Sequence, residues 1–434
     1  MDKKVDKKIY EIKPSIVKRK YKKKVGDLIH NIRHPINNFT NKHSLPLKPS
    51  EALSAYGDCL TKYEKREIFN YSNIYVCGVS AKKVKFINNE DKNYGFTNKN
   101  RYYKAIENDH LAFRFQILRV CGEGSYGQVL KTFDHKRRKT VAVKVLRRYN
   151  DKKNLEDNKE LGMLQYLTNQ DIKNKNYIVR FRGAFTFRNH ICLILEHLHK
   201  NLRDVIRQYY FNGSDIHKLQ KVTKDLLSAL EYLSNLGVVH GDLKPENIMV
   251  TDEEISSIKL IDFGGAFFVD SPPLSFAQTL RYRCPELILN GSASLPMDIW
   301  SLGCIVAELI SGNQLFTGID ERDQLNRMIE ILDLPPVKII ESCAKKQRFF
   351  VQNDDLQCKK INESGTEEIN NYVPINMNSS KYYSPGAKNL NSVIGFPKYK
   401  WSLRFIRMCL KWDPSERITT SFALHHPFIT GNFD

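Results

Sequence analysis

A glycine-rich segment constrains the fold of this chain more than any other feature of the sequence. Gly122, Gly124 and Gly127 have the spacing G-x-G-x-x-G, and strand-like runs precede them at 113–120 and follow them at 129–133. In dinucleotide-binding folds a helix follows the third glycine, so the strand here argues against such a fold. Residues without a Cβ let main-chain N–H groups approach a phosphate. The segment alone is weak evidence, because a structural turn could use the same residues.

A lysine with apolar neighbours follows on the next predicted strand, 140–146. Lys144 ends the run VAVK, and lysine is seldom fully buried without a carboxylate partner. A helix predicted over 154–167 offers Glu156 and Glu160, and we expect Glu160 to be the partner because the leucines after it would anchor the helix to the sheet. Lys144 would then hold the α and β phosphates of a nucleotide. The alternative is a lysine at a strand end that reaches water.

The loop 240–247, with the sequence HGDLKPEN, places a base and a metal ligand close together. Asp242 would accept the proton of an attacking hydroxyl, and Lys244 would neutralise charge on the moving phosphoryl group. Asn247 would ligate Mg²⁺, and Asp262 in the downstream tripeptide DFG would be the second metal ligand. Each motif is weak alone, but the order and spacing of the whole set predict phosphoryl transfer.

The remaining elements predict an α+β fold with two lobes. Further strands are expected at 177–181 and 190–195, which gives a five-stranded antiparallel sheet with one main helix. After Lys200 the pattern becomes helical. The predicted helices cover 219–236, 297–311, 322–332 and 401–411.

In this order the motifs resemble those of eukaryotic protein kinases. The resemblance implies the bilobal protein-kinase fold, ATP and Mg²⁺ as cofactors, and protein substrates. It assigns Glu286 a buried ion pair with Arg417, and it gives Asp298 hydrogen bonds to the loop 240–247. Removing one partner of a buried ion pair strongly destabilises a protein, so these residues are expected to support the fold.

The same resemblance defines an ATP-binding set. Leu195 takes the gatekeeper position, where an ordinary core leucine would also pack, and backbone groups of Glu196 and Leu198 would bind adenine. The full set comes from the glycine-rich segment, the neighbouring strands and the hinge: Cys121, Gly122, Glu123, Gly124, Ser125, Tyr126, Gly127, Val129, Ala142, Lys144, Leu195, Glu196 and Leu198.

Three further stretches, 108–111 (NDHL), 185–192 (FTFRNHIC) and 323–330 (DQLNRMIE), resemble the dual-specificity tyrosine-regulated (DYRK) kinases of the CMGC group. The resemblance implies phosphorylation of serine and threonine, often beside proline and arginine, and one tyrosine self-phosphorylation during maturation. The segment 63–69 (YEKREIF) is similar to the accessory region of class 2 members, which assists that self-phosphorylation. The alternative is that residues 45–106 only brace the fold.

The sequence departs from this family in the activation loop. Phe276 occupies the place of the phosphorylated tyrosine, Tyr282 is not expected to substitute for it, and Leu280 replaces an arginine near the proline-binding pocket. Gly241 stands where kinases in general have arginine and DYRK kinases usually have cysteine. We therefore expect a loop that holds its shape without phosphorylation, and the proline preference stays open.

Two alternatives to a DYRK-like enzyme follow from these departures. One is a pseudokinase scaffold, which the intact Lys144, Asp242 and Asp262 disfavour. The other is an SR-protein-type kinase of the same group, which would prefer Arg-Ser repeats.

The composition favours a globular protein with a basic tail. The net charge is +20, and eleven Lys or Arg fall within the first 24 residues, so a solvated tail or a polyanion-binding or nuclear-import patch is expected. The apolar runs are too short for a membrane span, which predicts a location in the cytoplasm or nucleus. The chain is also expected to be a monomer. Nine scattered cysteines without a C-x-x-C pair argue against disulfides and zinc.

The predicted organisation of the chain has three parts: a tail at 1–43, an accessory region at 44–110 and a kinase domain at 111–430. The kinase domain is predicted to have lobes at 111–198 and 199–430 and an irregular insertion at 351–398.

Overall fold

The computed structural model describes most of the chain and divides it into two compact units. The described residues are 10–11, 45–87, 94–124, 126–148, 158–209, 216–273, 278–289, 291, 293–353, 358–361, 367–375, 384–395 and 400–432. Unit 1 comprises Met1–Thr168 and Arg180–His197, and unit 2 comprises Asn169–Val179 and Leu198–Asp434.

Unit 1 is built on a seven-stranded antiparallel sheet whose order is β1-β6-β7-β5-β4-β3-β2. In chain order the strands are β1 (Tyr10–Glu11), β2 (His110–Leu111), β3 (Phe115–Gly124), β4 (Gly127–Asp134), β5 (Lys139–Leu146), β6 (Phe181–Phe187) and β7 (His190–Glu196). The prediction of five strands was incomplete, because β1 and β2 are two-residue edge strands, too short to show an alternating pattern, and because β6 begins only where the predicted strand 177–181 ends. One helix, α3 (Lys159–Gln170), corresponds to the helix predicted over 154–167.

The predicted strand 177–181 lies where the chain passes from one unit to the other. Ile178 forms a parallel bridge with Leu260, and the Val179 N–H donates to the Leu260 carbonyl at 2.9 Å. Residues 169–179 therefore belong to unit 2, although the predicted lobe boundary lay at residue 198. Residues 177–181 have a strand-like sequence because part of this segment does pair with a strand, but that partner, Leu260 of unit 2, is distant in sequence.

The accessory region packs against the sheet of unit 1. It contains the helices α1 (Pro49–Tyr56) and α2 (Glu64–Glu67). The Tyr75 N–H donates to the Phe113 carbonyl at 2.8 Å, next to β3. One apolar cluster joins this region to Phe113, and its buried members are Leu47, Ala52, Leu60, Ile68, Ile74, Cys77 and Phe113.

A buried arginine ties the accessory region to the turn between β6 and β7. Arg188 donates to Glu67 Oε2 at 2.9 Å and to Glu64 Oε1 at 3.0 Å, and its guanidinium lies 4.0 Å from the centre of the Phe96 ring. Burial alone would raise the pKa of Glu64, but the hydrogen bond from His110 and the nearby charges, which include Arg188, hold it well below its usual range. The brace predicted as one alternative for this region is thus present, while assistance to self-phosphorylation stays a prediction.

Glu64, Asp109 and His110 also converge in a way that resembles a metal site. The ammonium of Lys83 lies among them, 2.9 Å from Glu64 Oε1 and 2.8 Å from Asp109 Oδ1. His110 Nδ1 accepts from the Phe113 N–H at 3.2 Å, so its Nε2 carries the proton that faces Glu64. The cluster is therefore an ion-pair network within the chain, with the Lys83 side chain as its cation.

Unit 2 is mostly helical, as predicted. Its helices are α4 (Leu202–Tyr209), α5 (Ile216–Asn235), α6 (Pro285–Ile288), α7 (Pro296–Ser311), α8 (Glu321–Leu332), α9 (Val337–Ser342), α10 (Leu390–Ile394), α11 (Lys400–Cys409), α12 (Thr420–Leu424) and α13 (Pro427–Thr430). All residues of α7 from Met297 to Ile310 are buried, because its apolar side chains surround the helix instead of forming one stripe. None of the helices in the described ranges has the length and apolar character needed to cross a membrane.

Short antiparallel strand pairs complete unit 2. They are β8 (Val238–Val239) with β11 (Phe267–Phe268), β9 (Ile248–Val250) with β10 (Ile258–Leu260), β12 (Phe350–Gln352) with β15 (Tyr372–Pro374), and β13 (Cys358–Ile361) with β14 (Glu367–Asn370). Apart from Phe350, the last two pairs and α10 fall within 351–398, so the predicted irregular insertion was wrong for these parts. Their short strands give too few alternating apolar positions to be recognised in the sequence.

Candidate active site

The glycine-rich segment forms the connection between β3 and β4 in unit 1. Gly124 pairs with Gly127 across it. A Cβ on Gly127 would lie 2.5 Å from the Val145 carbonyl oxygen, whereas a Cβ on Gly122 or Gly124 would meet nothing within 4 Å. Packing therefore requires only the third glycine. The open space at the first two fits the close approach of a phosphate to the backbone.

The other predicted residues of this loop differ in their surroundings. Cys121 and Glu123 are exposed, and Tyr126 is partly buried with its ring centre 5.8 Å from Lys144 Nζ. Val129 lies opposite Lys144 in the sheet. Ser125 lies outside the described residues.

The predicted partner of the strand lysine is the correct one. Lys144 Nζ lies 2.6 Å from Glu160 Oε1, and both residues are buried. Helix α3 carries Glu160, and Leu161, Leu164 and Leu167 of that helix are buried as expected. Glu156, the alternative partner, is outside the described residues. The pair holds an ammonium group in a fixed position on β5, where it can bind phosphate oxygens.

The hinge residues fall at the end of β7. Ala142 lies opposite Leu195, which is buried, in the pairing of β5 with β7. The Glu196 N–H donates to the Arg180 carbonyl at 3.0 Å. The backbone group of Glu196 that is left for the predicted adenine contact is therefore its own carbonyl. Leu198 lies in unit 2, directly after the boundary.

In unit 2 the predicted base stands at the centre of a hydrogen-bond network. Lys244 Nζ donates to Asp242 Oδ2 at 2.5 Å, and the Asn247 amide donates to the Asp242 carbonyl at 2.9 Å. Because the Asn247 nitrogen is used in this way, its carboxamide oxygen is the atom that can ligate a cation. The loop thus turns a carboxylate, an ammonium and an amide oxygen toward one region.

The second predicted metal ligand is connected to the first through the backbone. The Ile261 N–H donates to the Asn247 carbonyl at 2.9 Å, and Asp262 follows with φ 62° and ψ 76°. A non-glycine residue in this left-handed region is uncommon and often marks a functional site. An amide oxygen and a carboxylate are hard oxygen donors, which is the ligand set that Mg²⁺ prefers.

Asp298 holds the loop in place, as the kinase resemblance implied. Its carboxylate accepts from the His240 N–H at 2.7 Å and from the Gly241 N–H at 3.1 Å. Burial raises the pKa of Asp298. Gly241 has φ +77°, and a Cβ there would lie 2.7 Å from the Gly265 carbonyl oxygen, so a larger residue at this position needs a local shift of the chain.

Thr279 is a site residue that the sequence reasoning missed. Its N–H and its hydroxyl donate to Asp242 Oδ1 at 2.9 Å and 2.7 Å, and Lys244 Nζ lies 2.9 Å from the same hydroxyl. The signal available in the sequence was a lone hydroxyl residue five positions before Cys284-Pro285-Glu286. Thr279 fixes the carboxylate and the ammonium relative to each other.

We predict that Thr279→Val lowers kcat about tenfold, because one hydrogen bond to a charged group is worth about 1.5–3 kcal/mol, part of which the retained backbone N–H replaces. Thr279→Ser should keep most of the activity. Steady-state kinetics at saturating ATP measures the effect. The control is Thr223→Val, which removes a buried hydroxyl of α5 that donates to Leu219 instead of the site. Wild-type kcat in Thr279→Val would contradict the assignment.

The end of the activation segment is also anchored by buried polar groups. The Tyr282 hydroxyl donates to Glu308 Oε2 at 2.7 Å, and Arg203 donates to both of them. Burial and the charge of Glu308 raise the pKa of Tyr282. Tyr282 is only 2% exposed, which supports the expectation that it does not replace the missing tyrosine as a phosphorylation site. Phe276 lies outside the described residues.

Comparison with known proteins identifies relatives over most of the chain. A model of the protein kinase domain matches residues 115–429. Dual specificity tyrosine-phosphorylation-regulated kinase 3 of Macaca fascicularis is 37% identical over 391 residues, which cover 89% of this chain and 68% of that protein. The probable serine/threonine-protein kinase dyrk2 of Dictyostelium discoideum is 37% identical over 88% of this chain and 40% of its own length. Kinase mbk-2 of Caenorhabditis elegans is 34% identical over 88% of this chain and 47% of its own length.

Proposed function

Because this chain belongs to the DYRK family of protein kinases, we propose that its residues transfer the γ-phosphoryl group of Mg-ATP to serine and threonine hydroxyls of protein substrates. The predicted two-lobed α+β kinase fold is confirmed, and the chain is an ATP-dependent protein kinase. The observation that carries the residue assignment is the network in which Asp242 Oδ2 accepts from Lys244 while Oδ1 accepts from Thr279.

The geometry of Asp242 suits a base for the substrate hydroxyl. The bond from the hydroxyl oxygen to the γ-phosphorus forms as the bond from that phosphorus to the β,γ-bridging oxygen breaks, and Asp242 takes the proton. Lys244 is in reach of Asp242 and offsets negative charge on the transferred group. Asn247 and Asp262 would hold Mg²⁺, which would neutralise charge on the phosphates. Within unit 1, we assign Lys144, which Glu160 holds in place, to the α and β phosphates.

Transfer of labelled phosphate from ATP to a generic basic protein, followed by phosphoamino acid analysis, tests this proposal. Label on serine or threonine supports it, and complete absence of transfer in freshly purified protein would favour the pseudokinase reading. The comparisons lend no support to that reading, since the relatives are named as kinases. A positional peptide library separates a DYRK-like preference from the Arg-Ser repeats of an SR-protein-type kinase, and it also resolves whether Leu280 leaves a proline preference.

We further propose that the activation loop reaches its active shape without phosphate. The support is the absence of a tyrosine at position 276 and the burial of the Tyr282 hydroxyl against Glu308. Mass spectrometry of active protein is expected to find the loop unmodified, and phosphatase treatment should leave kcat unchanged. Stoichiometric loop phosphate whose removal abolishes activity would overturn the proposal.

Two further proposals concern the contacts of the basic tail and the cellular compartment. The eleven basic residues among the first 24 favour contact with a polyanion or an import receptor, and with them a nuclear or cytoplasmic location. Retention of residues 1–43 on a polyanion column tests the first contact. Apart from Tyr10–Glu11, the tail lies outside the described residues.

A further inference from the structure

The accessory region and the glycine-rich loop touch each other within unit 1. The contact involves a tight turn of the accessory region, residues 97–103, which we call the accessory turn. This contact was not expected from the sequence, where the accessory region was linked to self-phosphorylation or to bracing of the fold.

The accessory turn is closed by its own hydrogen bonds. Thr97 forms an antiparallel bridge with Tyr103. The Asn98 N–H donates to the Tyr102 carbonyl at 2.8 Å, and the Tyr102 N–H donates to Asn98 Oδ1 at 2.9 Å. The turn therefore presents the Tyr102 side chain from a defined backbone.

The Tyr102 hydroxyl reaches the glycine-rich loop. It donates to the Gly124 carbonyl at 2.8 Å. The guanidinium of Arg147, just after β5, lies 4.9 Å from the centre of the Tyr102 ring, and Arg147 Nε donates to the Asn100 carbonyl at 3.1 Å. Arg147 thus contacts the ring of Tyr102, and the hydroxyl of Tyr102 forms the hydrogen bond to Gly124.

Strand β4, which follows the loop, and its neighbour β5 are both attached to the same turn. On the β4 side, the buried Gln128 donates through Nε2 to the Tyr103 carbonyl at 2.5 Å. On the β5 side, the Arg148 N–H donates to the Arg101 carbonyl at 3.0 Å. The accessory turn is therefore bound to β4 at the base of the loop, to the segment just after β5, and to Gly124.

We propose that Tyr102 is a positioning residue for ATP, and that the accessory region acts through it to order the glycine-rich loop before nucleotide binds. Side-chain packing does not hold Gly124, because a Cβ there would meet nothing within 4 Å. The hydrogen bond turns the Gly124 carbonyl oxygen toward the accessory turn, so that oxygen is kept from facing an anionic phosphate. This inference rests on the proposed role of the loop in binding ATP phosphates.

Tyr102→Phe in the full chain tests the proposal, since it removes the hydroxyl and keeps the ring against Arg147. The Kd for Mg-ATP should rise about three- to tenfold, the range expected for one hydrogen bond. The KM for ATP should rise by a similar factor with kcat within about twofold, because the interaction concerns ground-state order of the loop. Amide hydrogen exchange at 121–128 should be faster in the nucleotide-free variant than in the wild type.

Tyr71→Phe is the matched control. Its hydroxyl lies in the same accessory region, is buried, and has no hydrogen-bond partner in the described structure, so its removal should change neither Kd nor exchange at the loop. Unchanged Kd and unchanged exchange in Tyr102→Phe would overturn the inference, and so would an equal change in Tyr71→Phe. Protection of 121–128 by ATP in the wild type tests the loop assignment separately. If that protection is absent, the proposed function of the loop fails irrespective of Tyr102.

Discussion

Asp242→Asn is expected to lower the rate of phosphoryl transfer by a factor of about 10³, near the middle of the range for loss of a general base. The substitution keeps the size of the side chain, and an amide oxygen can still accept the hydrogen bonds from Thr279. It removes the negative charge that Lys244 faces at 2.5 Å and the ability to take the proton of the attacking hydroxyl. The loss should therefore appear in kcat.

Single-turnover transfer to a basic protein at saturating ATP measures this loss. The Kd for ATP should stay within about twofold, because we assign nucleotide binding to other residues. Asp270→Asn serves as the control, since it makes the same change of charge at an exposed position. Equal transfer by Asp242→Asn and the wild type would remove Asp242 from the catalytic role and reopen the pseudokinase alternative.

Arg417→Ala should lower the free energy of unfolding of unit 2 by about 3–5 kcal/mol. The guanidinium donates to both oxygens of Glu286, at 2.7 Å and 2.6 Å, and Nε donates to the Lys411 carbonyl at 2.9 Å. Its side chain is fully buried. Removing it would leave the Glu286 carboxylate without its countercharge in a poorly solvated site, and that desolvated charge is the main source of the loss.

Urea denaturation followed by tryptophan fluorescence suits this measurement, because the three tryptophans, Trp300, Trp401 and Trp412, all lie in unit 2. Arg407→Ala, at an exposed position of α11, is the control and should change stability by less than about 0.5 kcal/mol. The double variant Glu286→Leu with Arg417→Met should recover part of the loss, because no buried charge remains unpaired. A loss below about 1 kcal/mol in Arg417→Ala would contradict the prediction.

The sequence located several contacts correctly because a physical requirement selected the partner. A buried lysine on β5 needed a carboxylate, and the leucines of α3 fixed which glutamate could face it. The pair Lys144–Glu160 is therefore present at 2.6 Å. The network of Asp242, Lys244 and Asn247 could be predicted for a simpler reason. These residues lie within six positions of one another on a single loop.

Other contacts depend on where distant segments return to the same place. Thr279 lies 37 positions after the carboxylate that it orients, and Tyr102 lies 22 positions before the carbonyl to which it donates. The passage of residues 169–179 into unit 2 and the hairpins within 351–398 were missed as well. Short strands carry too little periodicity, and their partners are chosen by packing.

The amino-acid sequence by itself determined the glycine-rich loop, the strand lysine, the loop 240–247 and the DFG tripeptide, and with them the family. Local spacing carries that information, because covalent geometry fixes which groups a short loop can bring together. Only the tertiary structure decided which groups orient these residues. It showed that packing requires only Gly127 of the three loop glycines, that Thr279 and Lys244 hold Asp242, and that the accessory turn reaches Gly124. Those contacts arise when separate elements bury their apolar faces together, and sequence spacing does not record that step.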